Sequence, residues 1–577
     1  MKIKSLLLTA AIAASANAFS AEYYVVPGNA KTGNDGSSWD KAITIWDIYD
    51  NEATAKKKEA DSKYKNGDVF FFAGGTYYPT LEAGGVPQRM YRGYIFVGGC
   101  DPTKGAVTEC PTWPSATPTV FSGDLNGDGV ASPGDAQCLV YMRLGSNGIN
   151  TAEDRYTVTD EALKPLTFYG FEFTCAYNEN EWPESESADN LAGWGAICVA
   201  QGWCELYNCD VHDNYAAKAA GFNVYGSLYN VRDCKFYNNV ANQTGAALRV
   251  NINTDKRYSR GTVERCAFYN NTLTDKYGAA IALTAGEMYI VNSTVSGNTA
   301  YAEGGGVVAN GDKNATRKLH IINSTIAGNY CTADPSELYK SDAETGAVSN
   351  PGSLVGTELR LQADANFDMY NSIIVGRSDN GTVAYAPIVM KGAANGEAAP
   401  TFAPKCDFTN FNLTGSYLPL LEADKWSYIT TGAYNNMDAA NTYAAVFGDQ
   451  DIADNANKVI APKADYLKSL EAKEFYPAYV SDINTYAESL ATEPLFATTG
   501  YAVPDLTVDQ TGVKRNTGED QDYCVGAFDI YSNTTGIANV TKAEKSDSGR
   551  LYNLQGQCVD GNYKGIVIKN GKKVVVK

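Results

Sequence analysis

The sequence predicts an all-β protein: a parallel β-helix solenoid followed by a small C-terminal β module. Three observations lead there. A register of residues returns along the middle of the chain at intervals of 25, 32, 27, 31 and 48 residues. Inside each interval the apolar positions recur with period 2, the period of a strand and not of a helix. The chain also carries 54 glycines, 39 tyrosines and only 20% charged residues, a composition suited to turns and strands.

The first element is not part of the fold. Residues 1–18 have a basic start (Lys2, Lys4), an apolar stretch from Leu6 to Ala14 and a small-residue exit at Ala16-Asn17-Ala18, which together read as a cleaved signal peptide. No cysteine follows the cut, which argues against a lipid anchor. No later apolar run approaches the roughly 20 residues of a membrane helix, so no transmembrane segment is expected. The expected location is secreted or on the outer-membrane surface. A formal charge of −19 opposes nucleic acid and acidic polysaccharide partners unless cations bridge them. Thirteen cysteines is an odd number, so at least one thiol stays unpaired or pairs with another molecule.

The solenoid is assigned to residues 19–532. Its register starts at Cys209 and returns at Cys234, Cys266, Ser293, Ser324 and, less regularly, Ser372. Two positions on stand Val211, Phe236, Phe268, Val295, Ile326 and Ile374, and three positions before stand Leu206, Val231, Val263, Ile290, Ile321 and Met369. Five positions on stand Asn214, Asn239, Asn271, Asn298 and Asn329, until Arg377 breaks the series. Small-residue clusters follow, as in Gly245-Ala246-Ala247-Leu248, Gly278-Ala279-Ala280-Ile281 and Gly304-Gly305-Gly306-Val307. These units are too short for propeller blades and lack regular Asn-Gly or Asp-Gly hairpins, whereas stacked parallel coils fit them. Stacking places like residues roughly 4.8 Å apart. The Cys/Ser series then fills a narrow core beside larger apolar residues. The Asn series marks a turn, where its tolerance of left-handed φ and its stacking amides both serve. Glycine clusters mark another corner. Parallel rungs hold Cβ atoms outside the usual disulfide window, which favours free thiols at Cys209, Cys234 and Cys266.

The units Phe236-Tyr237-Asn238-Asn239 and Phe268-Tyr269-Asn270-Asn271, alternating with Gly278-Ala279-Ala280-Ile281, resemble the polymorphic outer membrane protein repeat. That resemblance implies a right-handed parallel β-helix, the pectin lyase-like fold. The front end, through GNDGSSWDKA (33–42), GDVFFFAGGTYYPT (67–80), YIFVGGCDPT (94–103) and TVFSGDLNGDG (119–129), is similar to secreted bacterial proteins of this kind. CVGAFD (524–529) resembles their closing coil. Residues 415–500 match poorly and read as an irregular, partly helical insert. Residues 533–550 read as a linker. Residues 551–577, through Tyr552-Asn553-Leu554-Gln555-Gly556-Gln557, Lys564-Gly565-Ile566 and Asn570-Gly571-Lys572-Lys573, resemble the C-terminal sorting segment of exported Bacteroidetes proteins. A plain β module following the solenoid is the other reading of that stretch.

Asp124, Asn126, Asp128, Val130, Ser132 and Asp135 have the spacing of a calcium loop. Side-chain oxygens fall at its first, third, fifth and twelfth places, glycine at the sixth, the Val130 carbonyl at the seventh and Ser132 at the ninth. Two readings stand: a calcium site and an ordinary acidic turn. The following CLVYMRL (138–144) fits a strand or an exiting helix. Calcium is the only cofactor expected.

Catalytic patterns are absent. There is no Gly-x-Ser-x-Gly elbow, phosphate loop, dinucleotide fingerprint or His-Glu-x-x-His, nor the polygalacturonase motifs. Only His212 and His320 are present, both in strand segments beside the ladder, where a surface or packed role is expected. Arg249, Asp255, Lys256, Arg257 and Arg260 cluster on an insert and read as solvated charge, with the basic group of a lyase as the lesser alternative. Trp182, Trp194, Trp203, Tyr207, Tyr215, Tyr225 and Tyr229 are enough for sugar or protein contacts, but also for stacking on one another. The resulting expectation is a noncatalytic adhesin or glycan-binding protein with a glycan or host-surface ligand. A polysaccharide lyase or other glycan-active enzyme on the same fold is the alternative. An enzyme requires a groove where Lys or Arg and several carboxylates converge on one parallel face.

Overall fold

The computed structural model describes residues 20–143 (without 57 and 109), 164–179, 194–251, 259–332 and 355–376 with short breaks, and 385–391. It also describes shorter stretches between 405 and 515, residues 525–529 and four strands between 551 and 576. The chain forms two compact units, 1–529 and 530–577.

The first unit is a parallel β-helix with four strands to a turn. One turn runs Trp203–Tyr207, Asp210–His212, Tyr215–Lys218 and Phe222–Tyr225, after which Leu228–Arg232 lies beside the first of these in register. Repetition builds four parallel sheets, here called first to fourth in that order. Among the described residues they hold 11, 11, 6 and 8 strands. The second unit is a four-stranded antiparallel sheet of Leu551–Asn553, Cys558–Val559, Gly565–Lys569 and Lys572–Val576.

The core is made of columns, as the repeat requires. Leu206, Val231, Val263, Ile290, Ile321 and Met369 stand opposite one another in successive rungs of the first sheet. Val211, Phe236, Phe268, Val295, Ile326 and Ile374 do the same in the second. Phe236 and Phe268 stack with centroids 4.8 Å apart and rings 8° from parallel.

Each corner has its own side-chain device. Between the first and second sheets the chain reverses on one left-handed residue: Asn208, Asp233, Arg265, Asn292, Asn323 or Asn371, with φ between 46° and 56°. The Cys/Ser column follows it. Ser293 Oγ accepts from the Cys266 N–H at 3.0 Å and donates to its own strand's Val291 carbonyl at 2.7 Å. Cys234 Sγ does likewise with Cys209 N at 3.3 Å and the Arg232 carbonyl at 3.1 Å. The position therefore needs a short side chain that both donates and accepts, a stricter demand than small size. Its cysteines are thiols in this structure.

The next corner carries the Asn column. Asn214, Asn239, Asn271 and Asn298 each donate from Nδ2 to the Oδ1 of the next rung's Asn, at 2.9–3.0 Å. One expectation is corrected here. The left-handed residues are those just before the column, Asp213, Asn238, Asn270, Gly297 and Gly328, and not the ladder asparagines. The ladder residues turn inward and are buried, so their amides can be satisfied only by each other and by nearby carbonyls. The glycine clusters form the third corner. Gly304 has φ of +71°, and a Cβ there would lie 2.3 Å from Val308 Cγ2.

Two non-repeating elements dress the solenoid. Helix Ile45–Ala55 starts with a Thr44/Asp47 capping box and buries Ile45, Ile48 and Tyr49 in the same core cluster as Val25 and Phe70. Residues 36–43 hydrogen-bond to the outer edge of strand Glu22–Val25, which blunts that edge. The second element is a strap. Helices Phe475–Thr492 and Pro494–Thr499 and residues 501–515 and 525–529 return along the outside of the first sheet and its corner. Tyr486 stacks on Tyr370 at 4.1 Å, Phe496 meets Tyr289 at 5.0 Å, and Tyr501 meets Trp203 at 5.3 Å. The corner Asn292 and Asn323 donate to the Asp505 and Leu506 carbonyls at 2.9 and 3.2 Å. Gly526 donates to the Asn371 carbonyl at 3.0 Å, and Ala527 to Thr325 Oγ1 at 3.0 Å. The described part of CVGAFD is therefore a clasp on earlier rungs and does not form the next rung.

Candidate functional site

The first sheet's outward residues are unusually polar for buried positions. Glu205, Arg260, Glu264, Glu287 and His320 are all less than a tenth exposed beneath the strap. Burial pushes the Glu205 carboxyl up to about 7, against the opposing effects of Tyr207, Thr167 and Arg232. His320 stacks on Tyr289 at 3.9 Å and sits 3.0 Å from Asp368 Oδ2. Charged groups of both signs converge here, but under cover.

The second sheet offers a partly exposed counterpart. In register along neighbouring rungs stand Glu172, Asp210 and Lys235, and beside them Thr174, His212 and Tyr237. Asp210 Oδ2 is 3.9 Å from Lys235 Nζ. Burial raises the Asp210 carboxyl's pKa, while Lys235 and His212 pull it back. Glu172 is raised for the same reason. His212 Nδ1 lies 2.6 Å from Asp213 Oδ2. Burial works against the charge on Asp213, but His212 and Asn238 outweigh it and hold that carboxyl below its usual range. Trp113 packs over this end of the sheet, its Cε3 3.3 Å from where a Gly170 Cβ would be. Its indole also favours the ionised form of Asp210, although neither Trp113 Nε1 nor Asp210 Oδ1 reaches good hydrogen-bond geometry. Sequence reasoning missed this patch because Glu172, Asp210 and Lys235 are brought together by coil register, 38 and 25 residues apart in the chain.

The aromatic series finds partners within the fold. Tyr207 stacks on Tyr169 at 4.7 Å, Tyr215 on Tyr177 at 4.9 Å, and Trp194 meets Tyr225 at 5.4 Å. Tyr229 is fully buried. His212, Tyr237 and Tyr269 form one stack at 4.6 and 5.0 Å. The stacked rings cover each other's faces. Trp182 lies outside the described residues. Of the basic cluster, Arg249 is on the fourth sheet and Arg260 on the first, both buried, so the expectation of solvated charge is corrected for them. Asp255, Lys256 and Arg257 lie outside the described residues.

Asp124, Asp128 and Asp135 bring carboxylate oxygens within 4.8 Å of one another. Asp124 accepts the N–H groups of Gly127, Asp128 and Gly129 at 2.7–3.1 Å, and Asp135 accepts those of Leu125 and Ser132 at 3.1 and 2.8 Å. The Asn126 amide donates to Ser132 Oγ at 2.7 Å, and Ser132 Oγ donates to Asp128 at 2.8 Å. Val130 is exposed, and its N–H donates to Asp128 at 3.0 Å, the chief cause of that carboxyl's lowered pKa. No cationic side chain pairs with the three carboxylates among the described residues. The donor set is all oxygen, which fits a hard cation such as calcium. The segment that follows is a strand, Val140–Arg143.

Together the rung register and these outward-facing groups define a parallel β-helix protein with a partly exposed mixed-charge patch among the described residues. No family model matches the chain, and no curated protein matches it. Among solved structures, a "Crystal structure of pectate lyase Pel9A" is similar at 12% identity and a TM-score of 0.32, over 89% of this chain and 97% of that one.

Proposed function

We propose that this chain is an extracellular, noncatalytic β-helix that binds a glycan through the partly exposed patch on its second sheet. It belongs with the adhesin-type proteins whose polymorphic outer membrane protein-like repeats its sequence resembles. Export through a cleaved signal at residues 1–18 and surface sorting through residues 551–577 complete this reading. The observation that carries it is the patch of Glu172, Asp210, His212, Asp213 and Lys235 beneath Trp113, with the first sheet closed by the strap. Carboxylates, an imidazole and an ammonium in fixed rungs suit sugar hydroxyls.

A lyase acting on uronic acids fits this face poorly. Three carboxylates to one lysine repel an acidic sugar, and the net charge of −19 adds to that. A glycan array scored both for retention and for new unsaturated or reducing ends tests the proposal. Retention that weakens in Asp210→Asn and Lys235→Ala, with no new ends, supports it, and product formation overturns it. The Asp124–Asp135 loop is proposed as a calcium site that stiffens the chain next to this sheet. Calorimetric titration with calcium tests it: one binding event lost in Asp128→Asn is expected, and no heat in the native chain refutes the site.

A further inference from the structure

We infer that Cys100 and Cys110 form a disulfide that pins the loop roofing the second-sheet patch. Strand Ile95–Cys100 ends with its last side chain buried, and the chain then makes a short turn at Pro102–Lys104 capped by Asp101. Trp39 holds that turn by donating from Nε1 to the Gly105 carbonyl at 2.8 Å. The chain then comes back on itself. A Cβ on Gly99 would lie 3.6 Å from Pro111 Cβ and 2.7 Å from Ser115 Oγ, and Ser115 Oγ donates to the Gly99 carbonyl at 3.2 Å. The returning chain thus passes close to the residue before Cys100. Both cysteines pack into one apolar cluster with Val97, Val107 and Tyr169.

The geometry differs from that of the Cys209, Cys234 and Cys266 column. There, successive rungs hold parallel side chains at strand spacing, which keeps neighbouring sulfurs apart. Cys100 stands in parallel register with Ala73, but Cys110 lies in a loop and not on a neighbouring rung, so the spacing between these two is not set by the ladder. Both are thiols in this structure, so the bond is the oxidised form of a pair the fold holds close; Cys110 is half-buried and Cys100 is buried. Burial pushes Cys100 up to about 12 and also raises Cys110, so exchange is slow once the loop has settled and belongs to the folding chain.

The oxidant is a disulfide donor. The Cys110 thiolate attacks one donor sulfur and releases a donor thiolate. The Cys100 thiolate then attacks the Cys110 sulfur of the mixed disulfide and releases the second. The two cysteines lose two electrons, the donor gains them, and the two thiol protons end on the donor thiols. The bond closes the loop at its base, and the chain leaving it carries Trp113 onto Gly170 beside Asp210.

The test uses the full-length chain produced in an oxidising compartment. Free thiols are blocked with N-ethylmaleimide in denaturant, without reductant, and the chain is cut with trypsin. Cleavage after Lys104 separates the two cysteines, so a disulfide leaves their peptides linked until reductant is added. The peptide holding Cys110 also contains Cys138, so the experiment is repeated with Cys138→Ala. The expected result is a linked pair in both chains, lighter by two hydrogens than the free peptides together. Maleimide on both Cys100 and Cys110, or a link lost in Cys138→Ala, overturns the inference. Neither result bears on the glycan reading, which the array tests separately.

Discussion

At the scale of single residues, the solenoid depends on side chains that satisfy hydrogen bonds between rungs. Removing one ladder amide leaves buried donors and acceptors without partners. Asn271→Ala strips a partner from the Nδ2 of Asn239, and its cost is about 1–3 kcal/mol. Urea denaturation checks this against Lys31→Ala, which removes only an exposed ion pair with Asp50 and is expected to change stability far less. The ladder ends on an acid: Asn329 donates from both its backbone and its amide to Glu358, which is fully buried. Burial is the largest influence on that carboxyl and pushes it up to about 8, above its unfolded value of 4.5. A raised acid pKa means that folding favours the protonated form. Its contribution is complete below 4.5 and is lost as pH rises toward 8. Glu205 acts in the same sense up to about 7. Stability measured across this range should therefore fall with rising pH, and Glu358→Gln should flatten part of the fall. An unchanged slope in that variant contradicts the assignment.

At the scale of elements, legibility follows periodicity. The core columns, the Cys/Ser and Asn ladders and the glycine corner were readable because each recurs: Cys234 predicts Cys266, and Asn239 predicts Asn271. The helix Ile45–Ala55 occurs once and lies outside the repeat. Its signal was local, the Thr44/Asp47 capping box, whose loss in Thr44→Ala costs about 1 kcal/mol in thermal or urea melts. The strap was unreadable as a contact, since Asn292 and Asp505 are 213 residues apart and nothing periodic joins them. The strap also explains why Arg260, read from the sequence as solvated charge, is buried. Alternation shows which face of a strand a residue takes, but not what later covers that face. The partly exposed patch was hidden for a related reason, because its members become neighbours only once the rung register is known. Gly526→Ala tests the clasp. The position has φ of +86°, and a Cβ would lie 2.6 Å from Thr325 Oγ1. Hydrogen exchange should rise across residues 501–515 and stay low in the rungs around Val211 and Phe236. Uniform loosening of both would mean that the strap is not a separate unit.

At the scale of the whole molecule, a stack of rungs is stabilised chiefly by nearest neighbours. The strap adds contacts that span many of them, from Trp203 to Tyr370. A variant lacking residues 501–577 should therefore unfold over a broader denaturant range than the full chain, with a lower apparent slope. Circular dichroism during a urea titration measures this, and an equally sharp transition would show that the rungs alone carry the cooperativity.

The clasp is also the part of the first unit that the ribosome makes last. Rungs can wind up as they emerge, yet Trp203, Tyr289 and Tyr370 must wait through nearly the entire synthesis for Tyr501, Phe496 and Tyr486. Any copy cut short before those residues keeps its coils but wears a bare flank of carboxylates, arginine and aromatic rings, so finished and unfinished molecules differ on the outside.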